Sequence, residues 1–275
     1  MKDTNIALIG GGNMARSLIG GLLEDGMPAE RIWVADPNES ALHHLQEQFA
    51  VHTTSDNNEA ARHAQVVILA IKPQLAKTVV QALAAVIRTD RPLVISIAAG
   101  IREADLRAWL GDDAAIVRTM PNTPALVRSG ATALFANRAV NKAQKNLAES
   151  ILRAVGMTLW VNDEAMMDGV TALSGSGPAY FFLIMEALEN AGEHLGLPRD
   201  TARLLTLQTA FGAAKMALES TEELAELRRR VTSPGGTTER AVQVLQKHHL
   251  EKVFDEALHA AHQRSVELAE IFGGK

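Results

Sequence analysis

Gly10, Gly12 and Ala15 stand in the spacing G-x-G-x-x-A directly behind the apolar run Ile6-Ala-Leu-Ile9. The first glycine permits a tight turn, the second lets the backbone approach an anion, and Ala15 keeps the next helix close to its strand. The N-terminus of that helix then offers N–H donors to a pyrophosphate. Context supports a dinucleotide: the turn follows the first expected strand and opens a helix, and Asp36 ends the next strand, 24 residues after Gly12. Asp36 could accept hydrogen bonds from an adenine ribose, favouring NAD over NADP by charge. It could equally be a solvated turn acid before Pro37. No Arg or Lys follows in Pro37-Asn-Glu-Ser40 to meet a 2′-phosphate, while Asn38 and Ser40 could hydrogen-bond one. The choice between NAD(H) and NADP(H) stays open.

Further segments have the small or rigid residues that a bound ligand requires. Ala70-Ile-Lys-Pro73 and Ser96-Ile-Ala-Ala-Gly100 end two buried strands, where open α/β sheets place ligand contacts. Met120-Pro-Asn-Thr-Pro124 ends another, with two prolines to stiffen the turn. Leu173-Ser-Gly-Ser-Gly-Pro-Ala179 precedes an apolar helix and could bind an anion or admit a neighbouring helix. Ala172 stands where a G-x-S-x-G elbow needs its first glycine, so a hydrolase nucleophile is not supported. Ser233-Pro-Gly-Gly-Thr-Thr238 opens a helix too. Its backbone N–H groups, those of Ser233 and Gly235 included, could hold a carboxylate while a threonine hydroxyl reaches a polar atom, or it could simply cap the helix.

The elements that must carry these residues divide the chain in two. Up to residue 162, β-rich runs alternate with helical stretches: Asn5–Ile9, Arg31–Ala35, Gln65–Ile71, Pro92–Ala98, Ala115–Thr119, Gly130–Phe135 and Thr158–Val161 read as strands. Helices over Asn13–Asp25 and Gln74–Arg88 complete the pattern of a Rossmann-like, doubly wound α/β domain over residues 1–162. Residues 163–275 read as all-helical: Glu164–Leu173, Ala179–Leu195, Asp200–Glu219, Glu222–Arg230, Thr237–Lys247 and a last helix through Phe272. Pro178, Pro198 and Pro234 sit where a helix can begin.

Composition narrows the function classes. The 275 residues include no cysteine, which excludes thiol nucleophiles, disulfides and cysteine-ligated metals. A net charge of −5 argues against nucleic acid and anionic membranes as partners. No run reaches the 18 apolar residues of a membrane span, and the start carries Asp3 and an apolar stretch cut short by Gly10. The expectation is a soluble, cytoplasmic protein. Nine histidines include the neighbours His43-His44 and His248-His249, which diverge on a helix, and His259 with His262; without His-Glu-x-x-His or further ligands, no metal is expected. Aromatics are only 4%, so Ala and Leu must fill the core, as they would between closely packed helices.

Together these segments resemble the pyrroline-5-carboxylate reductases, which complete proline synthesis. The resemblance runs from the GGGNMA turn through Ala70-Ile-Lys-Pro73, Ser-Ile-Ala-Ala-Gly100 and Met-Pro-Asn-Thr-Pro124 to Leu-Ser-Gly-Ser-Gly-Pro-Ala-Tyr180 and Thr-Ser-Pro-Gly-Gly-Thr-Thr238. It implies reduction of the C=N bond of 1-pyrroline-5-carboxylate to L-proline by NAD(P)H. By matching positions, Ile9, Gly10, Gly11, Gly12, Asn13 and Met14 contact the pyrophosphate, and Asp36, Asn38 and Asn57 fall at the adenosine end. Ala70, Ile71, Lys72, Pro73, Ile97, Ala98 and Ala99 flank the nicotinamide half. Thr238 matches the threonine whose hydroxyl meets the ring nitrogen, Gly236 and Thr237 hold the carboxylate, and Glu164 matches an acid beside the substrate pocket. The resemblance also implies homodimers with intertwined helical domains, in some members joined into decamers.

The chain departs from the family where His-Pro-Gly often precedes the Ser-Pro-Gly-Gly loop. It reads Glu222-Glu-Leu-Ala-Glu-Leu227 there, followed by Arg228-Arg-Arg230, a solvated or salt-bridged helix end. Asp36 stands where other members carry small polar residues. Two other readings are a hydroxyacid dehydrogenase-like enzyme or other imine reductase on the same fold, and a non-catalytic NAD-binding regulator. The first needs a lysine on an early helix of the second domain, and Glu164 to Glu189 contains none. The second leaves both the cofactor turn and the Thr238 loop without a use. Thr238 is a poor acid, so solvent is expected to protonate the imine.

Overall fold

The computed structural model describes residues 3–273. Eight strands, β1 (Ile6–Ile9), β2 (Ile32–Ala35), β3 (His52–Thr54), β4 (Val66–Leu69), β5 (Leu93–Ser96), β6 (Ile116–Met120), β7 (Gly130–Ala136) and β8 (Gly156–Trp160), form one sheet. Their order is β3-β2-β1-β4-β5-β6-β7-β8. All neighbours pair in parallel except β6 and β7. Helices α1 (Asn13–Glu24), α2 (Glu39–Phe49), α3 (Asn57–Arg62), α4 (Pro73–Asp90), α5 (Glu103–Leu110) and α6 (Lys142–Arg153) connect them.

The continuous apolar strands explain the layers. In β1 every residue is buried, but successive side chains leave opposite faces. Ile6 and Leu8 join a core with Leu18, Ile19 and Ile68, while Ala7 and Ile9 join a second core with Val67, Val80 and Leu83. Both faces are thus covered, the condition under which parallel strands lose their polar alternation. The connections reverse direction between β1 and β4, placing the topological switch point where the glycine turn leaves β1. The short β3 has no counterpart among the strands read from the sequence. It is a three-residue edge strand, His-Thr-Thr, with no buried side chain and hence no apolar signature.

After β8 the chain forms α7 (Met166–Val170), which runs into a π-helical turn, Thr171–Gly175. The sequence reads this stretch as one helix, Glu164–Leu173; the π turn widens its end by one residue. Then follow α8 (Gly177–His194), α9 (Arg199–Glu219), α10 (Leu224–Arg230), α11 (Thr237–Lys247) and α12 (Leu250–Gly273). Contacts divide the chain into two compact units, one running through Ser176 and taking back the chain from Ala261, the other Gly177–Ala260. Residues after 162 stay with the sheet because Val161 and Met167 pack with Ala133 of β7. The C-terminal stretch of α12 returns Phe272 to the second core of the sheet unit.

The helical unit has a different economy. Phe181, Phe182, Leu204 and Phe211 are each more than 60% exposed, and α8 and α9 bury little besides Gly177 and Ala202. Among the described residues no helix is long and apolar enough to cross a membrane.

Candidate functional site

The glycine turn is built by close approach. Gly10 adopts φ +104°, and a Cβ on it would lie 2.4 Å from the carbonyl oxygen of Ala70 at the end of β4. Its N–H donates to Ala35 O at 2.7 Å, tying the turn to β2 as well. Beyond it, a Cβ at Gly12 would meet nothing within 4 Å. Gly12 caps α1 without a side chain, no acid occupies the first turn, and Ala15 is fully buried against the strand. The α1 N-terminus therefore presents free N–H donors to open space, which fits a pyrophosphate.

Asp36 is turned toward this turn. Its Oδ2 accepts from Gly11 N and its Oδ1 from Asn38 N, both at 2.8 Å. The carboxylate thus fixes the very backbone that would cradle the dinucleotide, a contact that sequence spacing does not reveal. Asn38 caps α2 by accepting from Ala41 N, and Asn57 begins α3 behind its cap, Asp56. Lys72 caps α4 with Pro73 in its first turn. Ile97 N donates to Leu69 O at 3.2 Å, and Ala98 N to Ser96 Oγ at 3.3 Å. The ends of β1, β4, β5 and β6 are neighbours in the sheet, so Ile9–Ala15, Ala70–Pro73, Ile97–Ala99 and the loop after Met120 share one edge.

Glu164 lies in the same unit and is already engaged. Its Oε1 accepts from Arg118 Nη1 at 2.8 Å and from Glu103 N, at the start of α5, at 2.6 Å. The Arg118 side chain is 5% exposed and that of Glu164 22%. Glu103 in turn accepts from Asn137 Nδ2 and pairs with Arg107. Arg118 is absent from the residues singled out in the sequence. Its signal is a lone cation in the buried strand Ile-Val-Arg-Thr-Met, where a charge requires a partner.

Ser233–Thr238 belongs to the helical unit. Gly236 caps α11 in extended conformation without a side-chain bond, and Gly236 N donates to Ser233 O at 3.0 Å. Gly235 N is occupied by Glu239 Oε2 at 2.8 Å, whereas Thr237 and Thr238 are exposed at the helix start. Nearby, Arg229 pairs with Glu226 and Arg230 grips Glu222 through both carboxylate oxygens. The Arg229 guanidinium, donating to Glu226, holds that carboxyl below its ordinary range, and the two carboxylates raise Arg229 and Arg230. Among the described residues, no cluster of three or more His, Asp or Glu could hold a metal ion.

Comparison with known proteins accounts for both parts. Residues 164–268 match the family model described as pyrroline-5-carboxylate reductase dimerisation, and residues 5–100 match that described as NADP oxidoreductase coenzyme F420-dependent. The pyrroline-5-carboxylate reductase of Pseudomonas aeruginosa is 54% identical over 273 residues, covering 99% of this chain and 100% of that protein. A pyrroline-5-carboxylate reductase structure from Coxiella burnetii superposes with a TM-score of 0.93 at 51% identity, covering 96% of this chain and 98% of its own. That of Plasmodium falciparum pyrroline carboxylate reductase with NADP bound gives 0.88 at 30% identity, covering 98% and 100%. A shared sheet alone would account for likeness in the first unit, but the match to the Pseudomonas aeruginosa protein covers 99% of this chain and so extends over the exposed helical unit as well. The chain belongs to the pyrroline-5-carboxylate reductase family.

Proposed function

We propose that this chain reduces the C=N bond of 1-pyrroline-5-carboxylate to L-proline with NAD(P)H, the last step of proline synthesis. The observation that carries this reading is the end-to-end likeness to relatives bearing that name, at up to 54% identity. The open approach at Gly12 and the uncapped α1 N-terminus support a dinucleotide on the sheet edge.

When bound, the reduced nicotinamide supplies the hydride. The N–H groups of Gly12, Asn13 and Met14 hold the pyrophosphate, Asp36 fixes the turn through the Gly11 N–H, and Asp36, Asn38 and Asn57 serve the adenosine end. Ala70–Pro73 and Ile97–Ala99 shape the nicotinamide half, where small residues allow close approach. The loop from Ser233 through Gly235 and Gly236 to Thr237 holds the substrate carboxylate, with the Thr237 N–H as donor because Gly235 N is given to Glu239 and Gly236 N to Ser233 O, and the Thr238 hydroxyl orients the ring nitrogen. Since Glu164 Oε1 already serves Arg118 and Glu103, Oε2 is the oxygen left to face the substrate. Catalysis here is chiefly positioning, and solvent protonates the imine.

The cofactor-binding domain is taken as residues 1–162 and the substrate and dimerisation domain as 163–275. The working form is a cytoplasmic homodimer with intertwined helical domains, open to assembly into a decamer. Following oxidation of NADPH and of NADH with pyrroline-5-carboxylate, and with a 2-keto acid as control, tests the reading. Turnover with the imine is expected; oxidation with the keto acid alone would overturn it.

A further inference from the structure

Two segments set apart by their small and rigid residues meet within the sheet unit. Asn122, in the loop after β6, donates through Nδ2 to Ser174 O and Ser174 Oγ, each at 3.3 Å. Its Oδ1 accepts from Ala131 N at 2.9 Å. An amide carries two donor hydrogens and one acceptor oxygen, so this one side chain joins the loop, β7 and the π turn. The packing beside it is equally close. A Cβ on Gly175 would fall 2.4 Å from Met120 Cε. Four residues before Asn122, the Arg118–Glu164 pair ties the same two stretches of chain a second time.

The π turn needs such support. Its Ser176 N to Thr171 O bond, 2.9 Å, replaces the α register, and π turns inside helices are frequent at functional sites. Ser174 and Gly175 have poor intrinsic helix preference and contribute little to holding it. The loop that does hold it leaves β6 on the edge already formed by Gly10, Ala70 and Ile97.

We propose that Asn122 is a positioning residue for the reduction: by locking the π turn to the end of β6 it fixes the backbone of Ser174–Ser176 beside the sheet edge of Ala70–Pro73 and Ile97–Ala99, where nicotinamide and imine must meet. This rests on the reading of the chain as an imine reductase. Asn122 bonds Ser174 and Ala131 and not the glycine turn or Asp36, so the pyrophosphate and adenosine contacts that anchor the dinucleotide do not depend on it.

The test is steady-state kinetics of Asn122→Asp, which keeps size and the acceptor for Ala131 N but turns an oxygen toward the Ser174 carbonyl. We expect kcat/KM for pyrroline-5-carboxylate to fall about tenfold or more, the scale of lost orientation, with the NADPH Kd from titration changed less than about twofold. Gly175→Ala is the uncharged second variant, and it folds because the Met120 methyl can move aside. It should lower kcat/KM in the same way, and Met120→Ala in that background should recover part of the loss. Wild-type-like kcat/KM in both single variants, a loss explained by weaker NADPH binding, or failure of both to fold would overturn the proposal. An imine-inactive wild type would instead remove the functional reading and this proposal with it.

Discussion

Thr238 stands at the exposed start of α11 with its hydroxyl unused by the helix cap, which is how a group reserved for a ligand should look. Replacing it with Ala removes one hydrogen bond, so kcat/KM for pyrroline-5-carboxylate should fall roughly ten- to hundred-fold. Unchanged kinetics would remove Thr238 from the site. Asp36 is a more instructive case, because its position was legible and its partners were not. Spacing after the glycine turn identifies the acid, but only the folded backbone shows both oxygens taken by Gly11 N and Asn38 N. Asp36→Ser should therefore do two things: remove a negative charge from the place of a 2′-phosphate, and release Gly11 N–H. The kcat/KM ratio of NADPH to NADH is expected to rise; an unchanged ratio would show that Asp36 serves the turn alone. Gly10→Ala meets both a backbone oxygen and a positive φ. It should abolish measurable NADPH binding in a titration, whereas retained affinity would place the dinucleotide elsewhere.

At the scale of elements, β1 and β4 were legible because strands buried on both faces must be apolar throughout, whereas β7 and β8, only partly buried, were legible by their β-rich residues. β3 escaped because an exposed edge of three polar residues contributes backbone bonds and no burial. The π turn escaped because periodicity reports side-chain spacing, and Thr171–Gly175 has mostly small side chains to space. Arg118 lies in between: an arginine within β6 signals a partner, but nothing in the sequence says that the partner is Glu164, after β8. Their pair joins β6, α5 and the start of α7. Arg118→Ala leaves the half-buried Glu164 without its cation, and removing one partner of such a pair costs about 3 kcal/mol. For a unit of this size that is a fall in Tm of roughly 6–12 °C, measurable by thermal unfolding. A Tm unchanged from wild type would mean that the pair contributes specificity and not stability.

The whole molecule poses a problem that one chain does not solve. On α9, Leu204, Leu205, Leu207, Phe211 and Met216 spread over about half of the circumference at 3.6 residues per turn, wider than one stripe, and all are exposed. An apolar arc this wide is normally buried against more than one neighbour. One flat contact would cover one face, so the arrangement calls for a partner that wraps the helix, as intertwined helical units do. The scarcity of aromatics fits this: seven Phe, three Trp and one Tyr in 275 residues leave Ala and Leu to line close helix contacts. Such interfaces bury on the order of 2,000–5,000 Å², and the helical units that form them are often not stably folded alone. Two consequences can be measured. Thermal unfolding should shift to lower temperature on dilution, because dissociation is linked to unfolding. Phe211→Glu, placing a charge on that helix, should give monomers or aggregates in light scattering where the unchanged chain gives a dimer, and should remove turnover. Its isolated sheet unit should still bind NADPH, since the glycine turn, Asp36 and the strand ends all lie there. A wild-type chain that is monomeric and fully active at assay concentration, with a Tm independent of dilution, would refute the wrapped dimer.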